Sequence, residues 1–108
     1  MTKNAHSSIS QNIFGTRLRE ARIAVGLPQD KLGVLVGLDE STASTRISRY
    51  EAGIHEPPFS FAQRLAEVLH VPTAYFFATD DTLAGLIVHF SKLNKSSKAK
   101  LIKYLSEL

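Results

Sequence analysis

Apolar residues recur at helical spacing along almost the whole of this sequence, and nowhere do they alternate as a half-buried strand requires. Phe14, Leu18, Ala21 and Val25 stand at i, i+4, i+7 and i+11 and predict a helix from about Ser10 to Val25, stopped by Gly26. Pro28 opens a second helix that runs to Val36, at the position where its missing N–H costs nothing, with Leu32, Leu35 and Val36 facing inward. Gly37-Leu38-Asp39 supplies a turn, and Leu38, apolar within so short a polar connection, must bury in the corner. A third helix, about 42–52, carries Ala43, Ile47 and Tyr50 on one stripe and stops at Gly53. Ile54–Pro58 is a loop, because its two prolines cannot sit inside a helix. Ser60 and Gln63 have the spacing of a capping box and start a fourth helix with Phe61, Leu65, Val68 and Leu69 inward. After Val71-Pro72, a short helical turn over Thr73–Phe77 brings Tyr75, Phe76 and Phe77 to close the core. Leu83, Leu86, Ile87 and Phe90 mark one further helix, and Leu101, Ile102, Leu105 and Leu108 another, separated by a break at Asn94–Ser97.

This pattern predicts an all-α chain in three parts: a polar arm over 1–8, a compact five-helix domain over 9–79, and a two-helix extension over 80–108. For the arm, a frayed terminus is the commoner reading and a DNA-contacting arm the alternative. The extension leaves two amphipathic faces in need of cover, either by folding back on 61–77 or by pairing with a second chain.

The third helix is the unusual one. Opposite its buried stripe it places Ser44, Thr45, Ser48 and Arg49, where a helix inside a core would not put them. Short polar side chains beside an arginine, on a helix with an apolar back, suit a surface that reads base edges in a DNA groove. Arg17 and Arg19 on the first helix can lie along a phosphate backbone or simply form a solvated basic face. Gln29 sits at the tip of the second helix, where free N–H groups and a partial positive charge suit a phosphate.

Composition narrows the function classes more than it selects one. The chain has 108 residues, is 44% hydrophobic and carries a net charge of +3, which permits a polyanionic partner but is common among proteins without one. No apolar run is long enough to span a bilayer, and MTKNAHSSISQN lacks the apolar stretch of a signal peptide. With no Cys there is no disulfide framework, which fits a cytoplasmic location. His6, His55, His70 and His89 are scattered without metal-ligand spacing, and neither a G-x-S-x-G nor a phosphate-cradling glycine loop occurs. No catalytic residue, metal or cofactor is therefore expected, and an enzyme is disfavoured.

Residues 13–77 resemble the helix-turn-helix domain of phage Cro and repressor proteins, the XRE family. The resemblance is carried by RLREARIAVGLPQDKLGVLVGL, by the ending RISRYEAG, and by the P…LAEVLHVP segment. It rests on Arg22, Gln29, Leu32, Gly37, Ile47, Glu51 and Gly53 in combination, where a lone Gln-x-x-Leu would be weak. It implies a five-helix, lambda-repressor-like domain that binds a two-fold symmetric operator in double-stranded DNA as a homodimer, read here as a repressor although activation uses the same docking. By position, Ser44, Thr45 and Arg49 match base-reading residues, with Ser48 beside them. Gln29 matches a residue that sits at the backbone and buttresses the recognition helix, and Arg46 joins Arg17 and Arg19 among the backbone contacts. Arg22 and Glu51 match a partly buried ion pair, which we class as scaffold. Asp39-Glu40-Ser41-Thr42 departs from the family pattern as about four extra residues, which either lengthen the recognition helix or widen the turn. The expected dimer favours pairing of the extension with a second chain, since one recognition helix reads too few base pairs. The lysines of the extension (Lys92, Lys95, Lys98, Lys100 and Lys103) are expected to be its solvated face. The rival class is a protein-interaction module, antitoxin-like, that engages another protein through residues 82–108.

Overall fold

The computed structural model describes residues 12–108, and among these there are helices and no strands. The arm expected over 1–8 and the helix start expected at Ser10 lie outside the described residues. The elements are α1 (Ile13–Val25), α2 (Gln29–Leu35), α3 (Glu40–Glu51), α4 (Phe59–Leu69), a 3₁₀ turn (Thr73–Phe77), α5 (Asp81–Lys92) and α6 (Lys95–Ser106).

One fully buried side chain or more from each of the first five elements meets in the centre: Leu18, Leu32, Ile47, Leu65, Leu69 and Phe76. Each such burial removes apolar area from water worth roughly 1.5–3 kcal/mol. Phe14 stacks at a tilt on Phe76 and Phe77, and Tyr50 on Phe61, so tilted aromatic pairs add to the core packing. Leu38 packs against this cluster from the turn, as its setting required.

Several expectations are corrected by what each helix packs against. Leu35 is exposed, because the inner face of α2 is Leu32, Gly33 and Val36. Val25 is exposed in the last turn of α1, and Phe77 is exposed although it touches Phe14. The capping box at Ser60 does not form: Pro58, extended at φ −60° and ψ 156°, starts α4 one residue earlier, and its carbonyl accepts from Phe61 and Ala62. The break expected at Asn94–Ser97 is instead Leu93 and Asn94, and the Asn94 side chain accepts from the Ser97 N–H and caps α6.

Of the four residues expected to be extra, three lie in α3. Asp39 is the residue before α3, and Glu40, Ser41 and Thr42 make its first turn, so α3 starts two residues ahead of the expected 42. The Asp39 carboxylate accepts from the Ser41 hydroxyl at 2.6 Å, and Glu40 sits at the positive end of the helix dipole, where a carboxylate is favourable.

α2 and α3 approach so closely that only glycine fits between them. A Cβ on Gly33 would come within 2.6 Å of the Ala43 Cβ and 2.9 Å of its Cα. Because the nearest atoms include backbone, Gly33→Ala forces the two helices apart; overpacking of this kind costs roughly 1–3 kcal/mol. A urea unfolding midpoint that does not fall for this variant would contradict that packing.

α5 is attached to the domain at its first turn. Asp80 caps it, accepting from the N–H groups of Thr82 and Leu83, and Ala84 is buried. α6 buries no residue completely, and the Lys98 ammonium lies 5.3 Å from the Phe90 ring centre. Between α5, α6 and Pro72 runs an open groove of about 290 Å³, lined by Leu83, Leu86, Ile87, Phe90, Leu101 and Leu105 among others.

Candidate nucleic-acid interface

The candidate surface is the outer side of α3, presented by a unit that is stiff for reasons of packing. Ala43 and Ile47 are wholly buried and Tyr50 nearly so. With the helical period this leaves Ser41, Ser44, Thr45, Ser48 and Arg49 exposed on the opposite arc, Thr45 at its middle. Arg46 is exposed on the flank. The structure therefore brings together all four expected base-reading residues and one expected backbone residue on one helix.

Which arginines are available is decided by the ion pairs. All three among the described residues belong to Arg17 and Arg22, so Arg19, Arg46 and Arg49 carry their charge into solvent. A free guanidinium with five fixed donors can meet a guanine edge or a phosphate in bidentate fashion.

The end of α3 is tied to the rest of the domain through Glu51. Its buried carboxylate receives the Arg22 Nε at 2.6 Å on Oε2, and on Oε1 the Arg22 Nη2 at 3.2 Å and the Gln29 Nε2 at 3.0 Å. Arg22 Nη1 also donates to the Leu27 carbonyl at 3.0 Å. The Asn12 amide donates to the Glu51 backbone carbonyl at 3.2 Å, a contact for which the sequence held no signal. Three side chains, of Asn12, Arg22 and Gln29, thus converge on the last residue of α3.

Arg17 requires a correction. It is 3% exposed, and its guanidinium is occupied on every side. Nε donates to the Ala78 carbonyl at 3.0 Å, Nη2 to Asp81 at 2.9 Å and Nη1 to Glu20 at 3.1 Å, and the group lies 5.8 Å from the Tyr75 ring centre. Burial alone would lower its pKa, but the carboxylates of Asp81 and Glu20 outweigh this and hold it above the usual arginine value. A side chain so enclosed cannot lie along a phosphate backbone. Tyr75, which donates to the same Glu20 oxygen at 3.2 Å, has its phenol pushed above 10, first by burial and then by the Glu20 charge.

Sequence reasoning also missed Ser41 and Thr42. They extend the exposed hydroxyl row by a turn, and the signal was the insertion itself. Among the described residues no group of three His, Asp or Glu side chains could hold a metal ion, and no helix is long and apolar enough to cross a membrane.

Comparison with known proteins gives a concordant picture. The family model described as a helix-turn-helix domain matches residues 13–75, which include α1 to α4. An uncharacterized HTH-type transcriptional regulator of Sinorhizobium medicae is 33% identical over 63 residues, covering 58% of this chain and 42% of that protein. A like-named protein of Rhizobium meliloti matches to the same extent. The matched part thus spans less than half the length of these curated relatives. The crystal structure of the transcriptional regulator BswR superposes with a TM-score of 0.84 at 44% identity, over 87% of this chain and 93% of that one.

Proposed function

This chain belongs to the helix-turn-helix domain family, and on that footing we propose that it is a sequence-specific, double-stranded DNA-binding transcriptional regulator that seats α3 in the major groove. The observation that carries the proposal is the outer arc of α3: an unpaired Arg49 among the hydroxyls of Ser44, Thr45 and Ser48, on a helix whose other side is locked into the core. Arg49 reads a guanine O6 and N7, and the hydroxyls read or grip neighbouring groups. Arg19, Arg46 and the N-terminal tip of α2 at Gln29 hold the phosphates and fix the register. The work of such a protein places it in the cytoplasm, and repression by occupying the operator is its simplest action.

The regulator acts as a homodimer whose second copy covers the groove between α5 and α6. The two inner walls are leucine-rich and open; Leu86 and Leu105 are 44% and 50% exposed in a single chain, while Lys95 and Lys100 are exposed outside the groove. Two such wedges are self-complementary about a two-fold axis, each receiving the other's apolar wall and keeping its lysines in water. The same axis gives two recognition helices the chance to enter successive major grooves about 34 Å apart.

The test is selection of bound duplexes from a random pool at near-physiological salt, where phosphate-only binding is weak. A two-fold symmetric site is expected, with half-sites about one helical turn apart. A pool that stays random refutes sequence-specific recognition. In parallel, Leu105→Glu puts a charge on a side chain that is half exposed in one chain, so it should leave the fold intact and shift the sedimentation coefficient to that of a monomer. A Leu105→Glu protein that remains dimeric points to another interface, and a different protein retained on the groove of the unaltered chain favours an interaction module instead.

A further inference from the structure

The placement of Arg17 is not explained by stability alone. A guanidinium with almost no access to water costs desolvation that an apolar side chain of the same volume avoids, and buried ion pairs often add little net stability. What an arginine supplies is direction: a planar fork whose donors meet acceptors only along fixed lines. Here those lines run from α1 to three places. They reach Glu20 on the same helix, the Ala78 carbonyl in the connector, and Asp81, the first residue of α5. Glu20 is held in turn by the Tyr75 hydroxyl from the 3₁₀ turn. Only Thr79 lies between Ala78, pinned by Arg17, and Asp80, which caps α5. Ala84, one turn further on, is buried.

The same helix carries the other clamp. Arg22, five residues along α1, holds Glu51 at the end of α3. α1 is therefore a strut with the recognition helix fixed to one arginine and the extension fixed to the other.

We propose that Arg17 is a positioning residue for half-site spacing: by clamping the start of α5 to α1, it sets the angle between the paired extensions and the two recognition helices. The inference rests on the dimeric reading above and goes beyond it in naming what determines the separation of the two heads. Adding one base pair moves a half-site by about 3.4 Å and turns it by roughly 35°, so a preference for one spacing demands a fixed angle between heads. If α5 swivels on its connector, both heads still dock, over a range of spacings.

The experiment uses duplexes carrying two copies of the selected half-site, with their separation varied one base pair at a time, and full-length wild type, Arg17→Met and Asp81→Ala. Asp81 is 93% exposed at its side chain, so its replacement cuts the clamp from the solvent side and guards against a misfolded Arg17→Met. Wild type should favour one spacing over its neighbours by about tenfold or more, because misplacing one head forfeits the bivalent gain. Both variants should bind neighbouring spacings within about threefold of each other, with affinity for an isolated half-site and dimerisation unchanged. Variants that keep the wild-type spacing profile, even if less stable, overturn the inference and leave Arg17 a structural residue. A wild type indifferent to spacing overturns the dimeric-operator reading and this inference with it.

Discussion

Arg49→Ala should abolish most of the preference for operator over random DNA while barely changing the affinity for random DNA. A bidentate arginine–guanine contact is worth roughly 1–3 kcal/mol of discrimination, and a two-fold dimer makes it twice, so the specific complex loses about 2–6 kcal/mol. Loss of a phosphate contact behaves differently: it weakens all sequences alike and flattens the salt dependence by about one ion per site. Titrating operator and scrambled duplexes at several salt concentrations separates the two. Equal losses on both duplexes with a shallower salt slope would move Arg49 to the phosphate contacts. The neighbouring hydroxyls should show smaller effects, since a serine or threonine that donates or accepts at need distinguishes bases less sharply.

Arg22→Ala should be the most destabilising single replacement at the interface, by roughly 3–5 kcal/mol, because it leaves a buried carboxylate with one neutral donor. The structure ranks the two halves of the pair. Without Arg22, Glu51, whose side chain is 5% exposed, keeps only the Gln29 amide. Without Glu51, Arg22 at 13% keeps the Leu27 carbonyl and a little more water, so Glu51→Ala should cost less. Set against a total stability of about 5–15 kcal/mol for a domain of this size, the loss lowers the melting temperature by tens of degrees or unfolds the chain at 37 °C. An apolar pair, Arg22→Met with Glu51→Leu, should recover much of it, since neither charge is then stranded. Thermal and urea unfolding of the two single variants and the double variant measures this. A cost below about 1 kcal/mol for Arg22→Ala would show that water reaches Glu51 and that the pair behaves like a surface one.

How much of this could be read in advance depended on whether a residue's task is local. Ala43, Ile47 and Tyr50 were legible because three buried positions on one helix repeat at its own period. Gly26 and Gly53 were legible because each ends a helix with φ positive, 76° and 78°, where glycine alone is unstrained. Leu35 misled for the opposite reason. Its neighbour Gly33 takes the buried position, and a glycine that marks a close helix approach looks in sequence like a gap in the apolar stripe. Ser60 had the spacing of a cap, but the extended geometry of Pro58 had already started the helix. Arg17 could not be read at all. Two of its three partners lie 61 and 64 residues away, and an arginine on the polar side of an amphipathic helix looks the same whether solvent, phosphate or a distant carboxylate awaits it. Arg22 differed only because the family resemblance supplied its partner; periodicity did not.

The added first turn of α3 has a consequence for how this protein can change over evolutionary time. Its three residues, at about 1.5 Å of helix each, span a little more than one base-pair step of DNA. Ser41 and Thr42 stand there exposed to solvent, and their hydroxyls bond to Asp39. Replacements at these two positions are therefore nearly free of folding penalty. If α3 enters the major groove as proposed, a lineage can alter its operator preference there without first accumulating stabilising changes elsewhere, and a protein engineer seeking a new target sequence has two positions to randomise before any buried residue is disturbed.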